Sequence, residues 1–348
     1  MTPRESAAGT RPPKLVDVAA RAGVSTATAS RVLNGSDRFV GEPHRGRVLA
    51  AAAELGYTPN AHAQAIARGS SNVLGLIVHD VTDPYFAAIA DGVMRQCEQA
   101  SVMVMLGVTR RDPERELEFV STLRAQRARA IILAGSRLLT GDHTPRLAKE
   151  LRAYTAAGGS AACISQDRLG TQTVLALNRA GARDLATELH RLGHRRFAIL
   201  AGPRDLVAAR DRYLGFLDGL AGCDVRRETV QVVHSDFTRA GGVAGAKALL
   251  AQELTSTCLF AVNDVMAIGA MTVLRDADIA VPDQLSVAGF DDISTARDVT
   301  PRLTSVRLPL EEMGVQAARM TLDPHRAGPR ILKVRGEIRL RESTRPPG

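Results

Sequence analysis

VDVAARAGVSTATASRVLNG, Val16 to Gly35, is the stretch that decides the fold of the N-terminal part of this chain. Apolar Leu15, Val18, Ala19 and Ala22 recur at helical spacing, and Gly23 interrupts them. Ser25 then offers a side-chain oxygen to open a second helix, Thr26–Leu33, which Asn34-Gly35 ends. Glu42-Pro43 opens a third, running through Val48, Leu49, Ala52 and Ala53 to Leu55-Gly56. Three short helices with a tight glycine turn between the first two describe a helix-turn-helix unit. In such a unit the second helix meets the major groove. Thr26 and Ala27 stand in its first turn, and Ala27 suits a thymine methyl. Arg31, one turn on, suits a guanine bidentately, while Ser25, Thr28, Ser30 and Asn34 are short donors for phosphates. The plainer alternative is a small helical bundle with an ordinary Ser/Thr surface.

Charge weighs against that alternative. Met1–Gly69 holds nine basic and five acidic residues, so this segment carries +4 of the chain's net +8. The other 279 residues share the rest, and a polyanionic partner at the N-terminal segment follows. Met1–Pro13 is polar, lacks the apolar core of a secretory signal, and is expected to be a disordered cytoplasmic tail. Ala-rich 60–68 has the length of one marginal short helix, and Gly69-Ser70-Ser71 makes a joint after it.

Beyond Asn72 the pattern changes. Apolar runs at Val73–Val78, Val102–Leu106, Ala130–Leu133 and Ala161–Ile164 read as buried parallel strands, with helices at Pro84–Ala100, Pro113–Ala125 and Pro145–Ala157 between them. A second block repeats the alternation. Its strands are Phe197–Leu200, Val230–Val233, Leu259–Val262 and Leu285–Ala288; its helices are Leu206–Leu220, Arg239–Leu250 and Asp264–Leu274. The prediction is an all-α headpiece plus an α/β body of two doubly wound, parallel-sheet subdomains.

The quoted stretch closely resembles the headpiece of the lactose/galactose repressor family of bacterial transcription regulators. Leu55-Gly56-Tyr57-Thr58-Pro59-Asn60-Ala61 is similar to that family's entry into the hinge. Further matches follow in family order: Asp83-Pro84-Tyr85-Phe86, Leu192-Gly193-His194-Arg195-Arg196, Ala201-Gly202-Pro203, Asn263–Ala270, Gly289-Phe290-Asp291-Asp292-Ile293 and Arg341-Glu342-Ser343-Thr344. The likeness runs from Lys14 to Pro346. It implies a body like the periplasmic sugar-binding proteins, with crossovers near Thr173–Leu177, Gly289–Ile293 and Met320. The implied subdomains are 72–175 with 291–320, and 176–290 with 321–345, after a headpiece at 14–58 and a hinge at 59–71.

Carried over residue by residue, the resemblance places Ile66 as a minor-groove wedge that unstacks a base step; the alternative is that Ile66 packs on the body. It places Asp83, Phe86, Gln166, Arg212, Phe237, Asn263 and Asp291 around a small polar effector, sugar-like in kind. Arg212 and Asp291 are expected to grip it from opposite subdomains, or else to form a surface or interdomain salt bridge. Departures stand beside these matches. Lys14 replaces a frequent Thr cap, Gly41 a Ser cap and Thr26 a frequent Val. Asp83 replaces a common Asn, and Gln166 stands where Arg or an aromatic is common. Leu206 and Ala208 stand where polar residues often serve. The family further implies a homodimer on a pseudo-palindromic operator; no leucine heptad follows Arg341, so no coiled-coil tetramer is expected.

Other classes fit less well. Neither Gly-x-Gly-x-x-Gly, a Walker phosphate loop nor Gly-x-Ser-x-Gly occurs. Cys97, Cys163, Cys223 and Cys258 are scattered, without metal spacing, and are expected to be reduced. His79, His143, His190, His194 and His234 are dispersed and expected to be structural or superficial. No enzyme, cofactor, metal or membrane partner is expected. A secreted solute-binding protein would explain the body but not the headpiece.

Overall fold

The computed structural model describes residues 11–34, 40–58, 70–323 and 330–348. Its contacts divide the chain between Ser71 and Asn72 into a headpiece and a body. The expected hinge helix with Ile66, the side chain of Asn34 and most of the N-terminal tail lie outside the described residues.

The headpiece has helices α1 (Leu15–Ala22), α2 (Thr26–Asn34) and α3 (Glu42–Glu54). Gly23 ends α1 in the left-handed region at φ 63°, and the Val24 N–H closes back onto the Ala19 carbonyl at 3.1 Å. A side chain at Gly23 would be strained there, which is why the tight turn needs glycine. Lys14 lacks a capping oxygen, and its own N–H donates to the Asp17 carboxylate at 2.7 Å instead. Val18, Ala19 and Ala22 of α1, Ala29 of α2, and Val48, Ala51 and Ala52 of α3 form the small core. Tyr57 packs onto it after α3.

The body contains two six-stranded sheets. The first uses β1 (Val73–Val78), β2 (Met103–Val108), β3 (Ala130–Ala134), β4 (Ser160–Ser165), β5 (Gln172–Ala176) and β11 (Ile331–Val334). The second uses β6 (Phe197–Leu200), β7 (Gln231–Val233), β8 (Cys258–Ala261), β9 (Ser286–Asp291), β10 (Thr304–Arg307) and β12 (Glu337–Arg339). Their orders are β2-β1-β3-β4-β5-β11 and β7-β6-β8-β9-β10-β12, parallel except for β12. Each sheet thus starts with the 2-1-3-4-5 doubly wound order, which opens a crevice outside the carboxyl ends of its strands.

Helices cover both faces. They are α4 (Pro84–Gln99), α5 (Pro113–Ala125), α6 (His143–Ala156), α7 (Asn178–Arg191), α8 (Val207–Ala221), α9 (Arg239–Leu250), α10 (Asp264–Asp276) and α11 (Leu310–Leu322). Strand alternation sorts the side chains. Leu74, Leu76 and Val78 join the main core, whereas Ile77, Ile131 and Leu133 join a second cluster with Val120, Leu147 and Leu151. Burying each such side chain stabilises the fold by about 1.5–3 kcal/mol before entropy is counted. The C-terminal Ser343 staples the second sheet. Its Oγ donates to the Val287 carbonyl at 2.6 Å and accepts from the Thr304 N–H at 2.8 Å.

Strand pairing relocates two of the expected crossovers. The first does fall at Leu177, between β5 and α7. The second does not lie at Gly289–Ile293, because β9 and β10 are neighbours in the second sheet. The chain returns only at Leu308-Pro309, after which α11 packs on α4. Met320 lies inside α11, and the third crossover is Arg335-Gly336, between β11 on β5 and β12 on β10. Among the described residues, the first subdomain is therefore 72–176 with 310–323 and 330–334, and the second 178–307 with 337–345. Among the described residues, no helix is long and apolar enough to cross a membrane.

Candidate functional site

The headpiece offers one face of α2. Ser25 Oγ accepts the Thr28 N–H at 3.1 Å and lies 2.9 Å from Thr28 Oγ1, so this pair starts the helix. Ala29 points inward and is fully buried, while Thr26, Ala27 and Arg31 are exposed; Thr28 and Ser30 are half-buried. The first turn of α2 contains no carboxylate. Its unpaired N–H groups and the helix dipole therefore favour an anion. Short polar side chains, one arginine and a positive helix end on one face form a surface suited to a nucleic-acid backbone and its base edges.

In the body, the strand ends of both sheets converge on one cleft. From the first sheet, Asp83 caps α4, its Oδ1 accepting the Tyr85 N–H at 3.0 Å, and burial raises its carboxyl pKa. Phe86 packs edge-on against His79 at 5.8 Å between centroids. From the second sheet, Asn263 caps α10 through the Met266 N–H at 2.9 Å, and Phe237 follows β7. Asp291 ends β9 at φ 114°, a region that costs a non-glycine residue about 1–3 kcal/mol. All five line a small inner pocket of about 30 Å³ together with Arg212 and Asn178.

Arg212 organises that pocket. Its Nη1 and Nη2 donate to the two Asp291 oxygens at 3.0 and 2.7 Å, Nη1 also donates to the Val262 carbonyl, and Nε donates to Asn178 Oδ1. These bonds use four of the five donors of a guanidinium. The group lies 4.0 Å over the Phe290 ring. Burial pushes Asp291 up to about 6, against the pull of the Arg212 charge. Arg212 sits on α8 and Asp291 on β9, so both belong to the second subdomain. The expectation of a grip from opposite subdomains is corrected: the two form a buried ion pair within one subdomain. Gln166 is also not among the residues lining either cavity of the cleft; its Oε1 accepts the Arg137 N–H at 2.9 Å and so supports the loop after β3.

Next to the inner pocket lies an outer cavity of about 370 Å³, sharing His79, Arg111, Ser136 and Phe237 with it. Its floor was missed in the sequence. His79 and His143, expected to be structural or superficial, line it with Arg111, Glu116 and Arg137. Glu116 Oε2 accepts from Arg137 Nη1 at 2.6 Å and from His143 Nε2 at 2.9 Å. Burial alone would raise Glu116, but the Arg137 charge and these bonds hold it at about 2. Burial lowers His79 to about 4, aided by Arg137. One signal for this floor was legible: Asp112-Pro113 repeats the strand-Asp-Pro-helix pattern of Asp83-Pro84, marking a strand end at the cleft.

The subdomains also join directly across the cleft. Leu138 and Leu206 form an antiparallel bridge in which the Leu139 N–H donates to the Asp205 carbonyl at 2.8 Å and the Val207 N–H to the Arg137 carbonyl at 3.0 Å. The Ala208 N–H donates to Ser136 Oγ at 2.9 Å. A cleft held shut by such bonds, on a chain with a helix-turn-helix headpiece, defines a ligand-binding DNA regulator.

Comparison with known proteins agrees. Residues 14–60 match the model of bacterial regulatory proteins of the lacI family, and residues 186–344 match a periplasmic binding protein-like domain. The HTH-type transcriptional regulator GalS of Salmonella typhimurium is 35 % identical over 313 residues, covering 88 % of each chain. The lac repressor dimer bound to operator and the anti-inducer ONPF is 26 % identical with a TM-score of 0.81, over 96 % of this chain and 100 % of that one. The CelR–cellobiose complex is 30 % identical with a TM-score of 0.69, over 95 % and 99 %. This chain belongs to the lacI family: it is a helix-turn-helix transcription regulator, not an enzyme.

Proposed function

We propose that this regulator acts in the cytoplasm as a homodimer on a pseudo-palindromic operator and releases or grips DNA according to a sugar-like effector in the cleft. The observation that carries the effector half is the convergence of Asp83, Phe86, Phe237, Asn263 and Asp291 at the carboxyl ends of two 2-1-3-4-5 sheets. Alternating acceptors, donors and an aromatic face are what a polyhydroxylated ring requires. The relative crystallised with cellobiose supports that class, and the relative crystallised as a dimer on operator supports the assembly. On the headpiece, Thr26, Ala27 and Arg31 are assigned to base edges, and Ser25, Thr28, Ser30 and Asn34 to phosphates. Ile66 is assigned to the minor groove.

The effector shifts DNA affinity only as far as it prefers one state of the body over another. The test is retardation of the DNA upstream of the gene itself, across a salt series and a panel of sugars. The expected result is specific retardation whose affinity falls steeply with salt, with at least one sugar changing it. Retardation equal on all sequences, or indifferent to every sugar and sugar derivative, would overturn the assignment.

A further inference from the structure

The buried and half-buried guanidiniums and carboxylates lining the outer cavity are Arg111 and Arg137 against Glu116 alone. Glu116 is its buried carboxylate, and Arg137 and His143 both claim it. Arg137 is 2 % exposed, yet its Nε–H has no protein partner. Arg111 is the second guanidinium. Among the described residues no carboxylate pairs with it; Nη2 reaches only the Phe237 carbonyl, at 3.2 Å, and the group lies 5.6 Å from the Phe237 ring centroid. Burial lowers its pKa, and the charges of Asp83, Asp80 and Asp236 offset that only in part. The backbone is bent to put it there: Arg110 and Arg111 both take left-handed φ, at 53° and 63°.

Helix ends add to this field. The wall includes Pro113, His143, Leu206 and Thr238, at the starts of α5, α6, α8 and α9. Four helix starts turned to one cavity contribute partial positive charge through their dipoles, although the Asp112 carboxylate caps α5, Thr238 Oγ1 caps α9, and the Val207 and Ala208 N–H groups of α8 already bond the Arg137 carbonyl and Ser136 Oγ. The other lining carboxylates, Asp112, Asp205 and Asp236, are exposed, where water and salt weaken them, although Asp236 still acts on Arg111.

We propose that the outer cavity is an anion subsite that seats a carboxylate or phosphate group of the effector against Arg111, with the buried guanidinium of Arg137 adding positive charge behind it. The effector is then an acidic or phosphorylated sugar derivative rather than a neutral sugar. This inference rests on the cleft being the effector site. Its inner pocket would hold hydroxyls, and its outer cavity the charged group.

The test uses sodium phosphate and sodium acetate as probes on the full-length chain, against sodium chloride at equal ionic strength. The readouts are the thermal midpoint and the Arg137 Nε–H resonance. The expected result is a saturating rise of the midpoint with one anion at least, since a ligand of the native state stabilises it by mass action. Saturation separates this from the general salting effect of phosphate, which does not level off. The Arg137 Nε–H resonance is expected to shift in step, a readout that needs no variant. Arg111→Met is expected to weaken the anion about tenfold or more, and Arg111→Lys to restore part of the loss. The more effective anion decides between a phosphorylated and an acidic effector. No saturating response to either anion, or an undiminished response in Arg111→Met with no shift at Arg137, would overturn the subsite. In that case, neutral sugars that still alter operator binding leave the cleft reading standing; silence from sugars and anions alike removes both.

Discussion

At the scale of single residues, Arg31 and Arg212 show how far a side chain's role follows from its neighbours. Arg31 is exposed on the α2 face, with nothing in the headpiece that depends on it for packing. Arg31→Ala is expected to cost on the order of 1–3 kcal/mol of operator affinity and to relax base choice at one position in each half-site. Binding to a library of operator variants checks this, and uniform weakening would assign Arg31 to phosphate instead. Arg212 is different. Its charge is buried against Asp291, so Arg212→Ala strands a carboxylate and is expected to destabilise the body by about 3–5 kcal/mol, read from denaturant midpoints. Asp264 carries a pH prediction. Burial, reinforced by Asp291, raises it from 3.8 to about 7. The folded chain therefore holds its proton more tightly than the unfolded chain. Its contribution to stability is fully present below about pH 4 and declines as pH rises to about 7. The opposing titrations of His79 and Glu116 are common to both proteins when Asp264→Asn is compared with the parent. Relative to that variant, the parent is expected to lose stability across this window; parallel curves would refute the shift.

At the scale of elements, local signals and long-range pairing divide what the sequence reveals. Helices α4 and α5 were legible because Asp-Pro opens each one and supplies its cap. Helices α7 and α11 begin at Leu177 and Pro309 without a capping side chain and were not read, although α8, which starts at Leu206 without one, was. Strands β10, β11 and β12 are short and interrupted by polar residues such as Thr304, Ser305, Lys333, Glu337 and Arg339, whereas β6 and β8, also short, are apolar throughout. The misplaced crossovers have a related cause: a pattern of apolar residues marks a strand but does not say which sheet it joins. The same gap explains the cleft. Asp83, Phe86, Phe237, Asn263 and Asp291 come from recognisable strand ends, whereas the subdomain that owns Asp291 depends on β9–β10 pairing. Close helix packing gives a test at this scale. A side chain at Gly215 of α8 would collide with the Arg179 carbonyl of α7. Gly215→Ala is expected to destabilise the body by about 1–3 kcal/mol despite its better helix propensity, as read from unfolding midpoints.

At the scale of the whole molecule, the edge of the first sheet bears on assembly. Strand β2 is a sheet edge, and it leaves Met103 69 % exposed, with Met105, Leu106 and nearby Met94 also exposed. An apolar edge of this kind favours pairing with another surface. On the proposed homodimer, replacing Met103 and Met105 together by Glu is expected to shift the protein toward monomer in sedimentation and to weaken operator binding, because one headpiece reaches one half-site. An unchanged dimer would place the interface elsewhere.

The bridge between Leu138 and Leu206 governs time as well as shape. With the Leu139, Val207 and Ala208 N–H bonds made, the two subdomains are tied together beside the proposed effector pocket, and they part there only when all three break. Exchange then waits on the opening of the two subdomains about Leu177, Leu308-Pro309 and Arg335-Gly336. The observed binding rate is expected to level off as effector concentration rises in stopped-flow mixing, at the opening rate rather than at a diffusive limit. Such a regulator averages over brief swings in metabolite supply. On the proposed reading of the cleft, a pulse shorter than the lifetime of the shut cleft passes unnoticed, and how long the response to a longer one persists depends on the bonds that close it, from Leu139, Val207 and Ala208 to the facing subdomain.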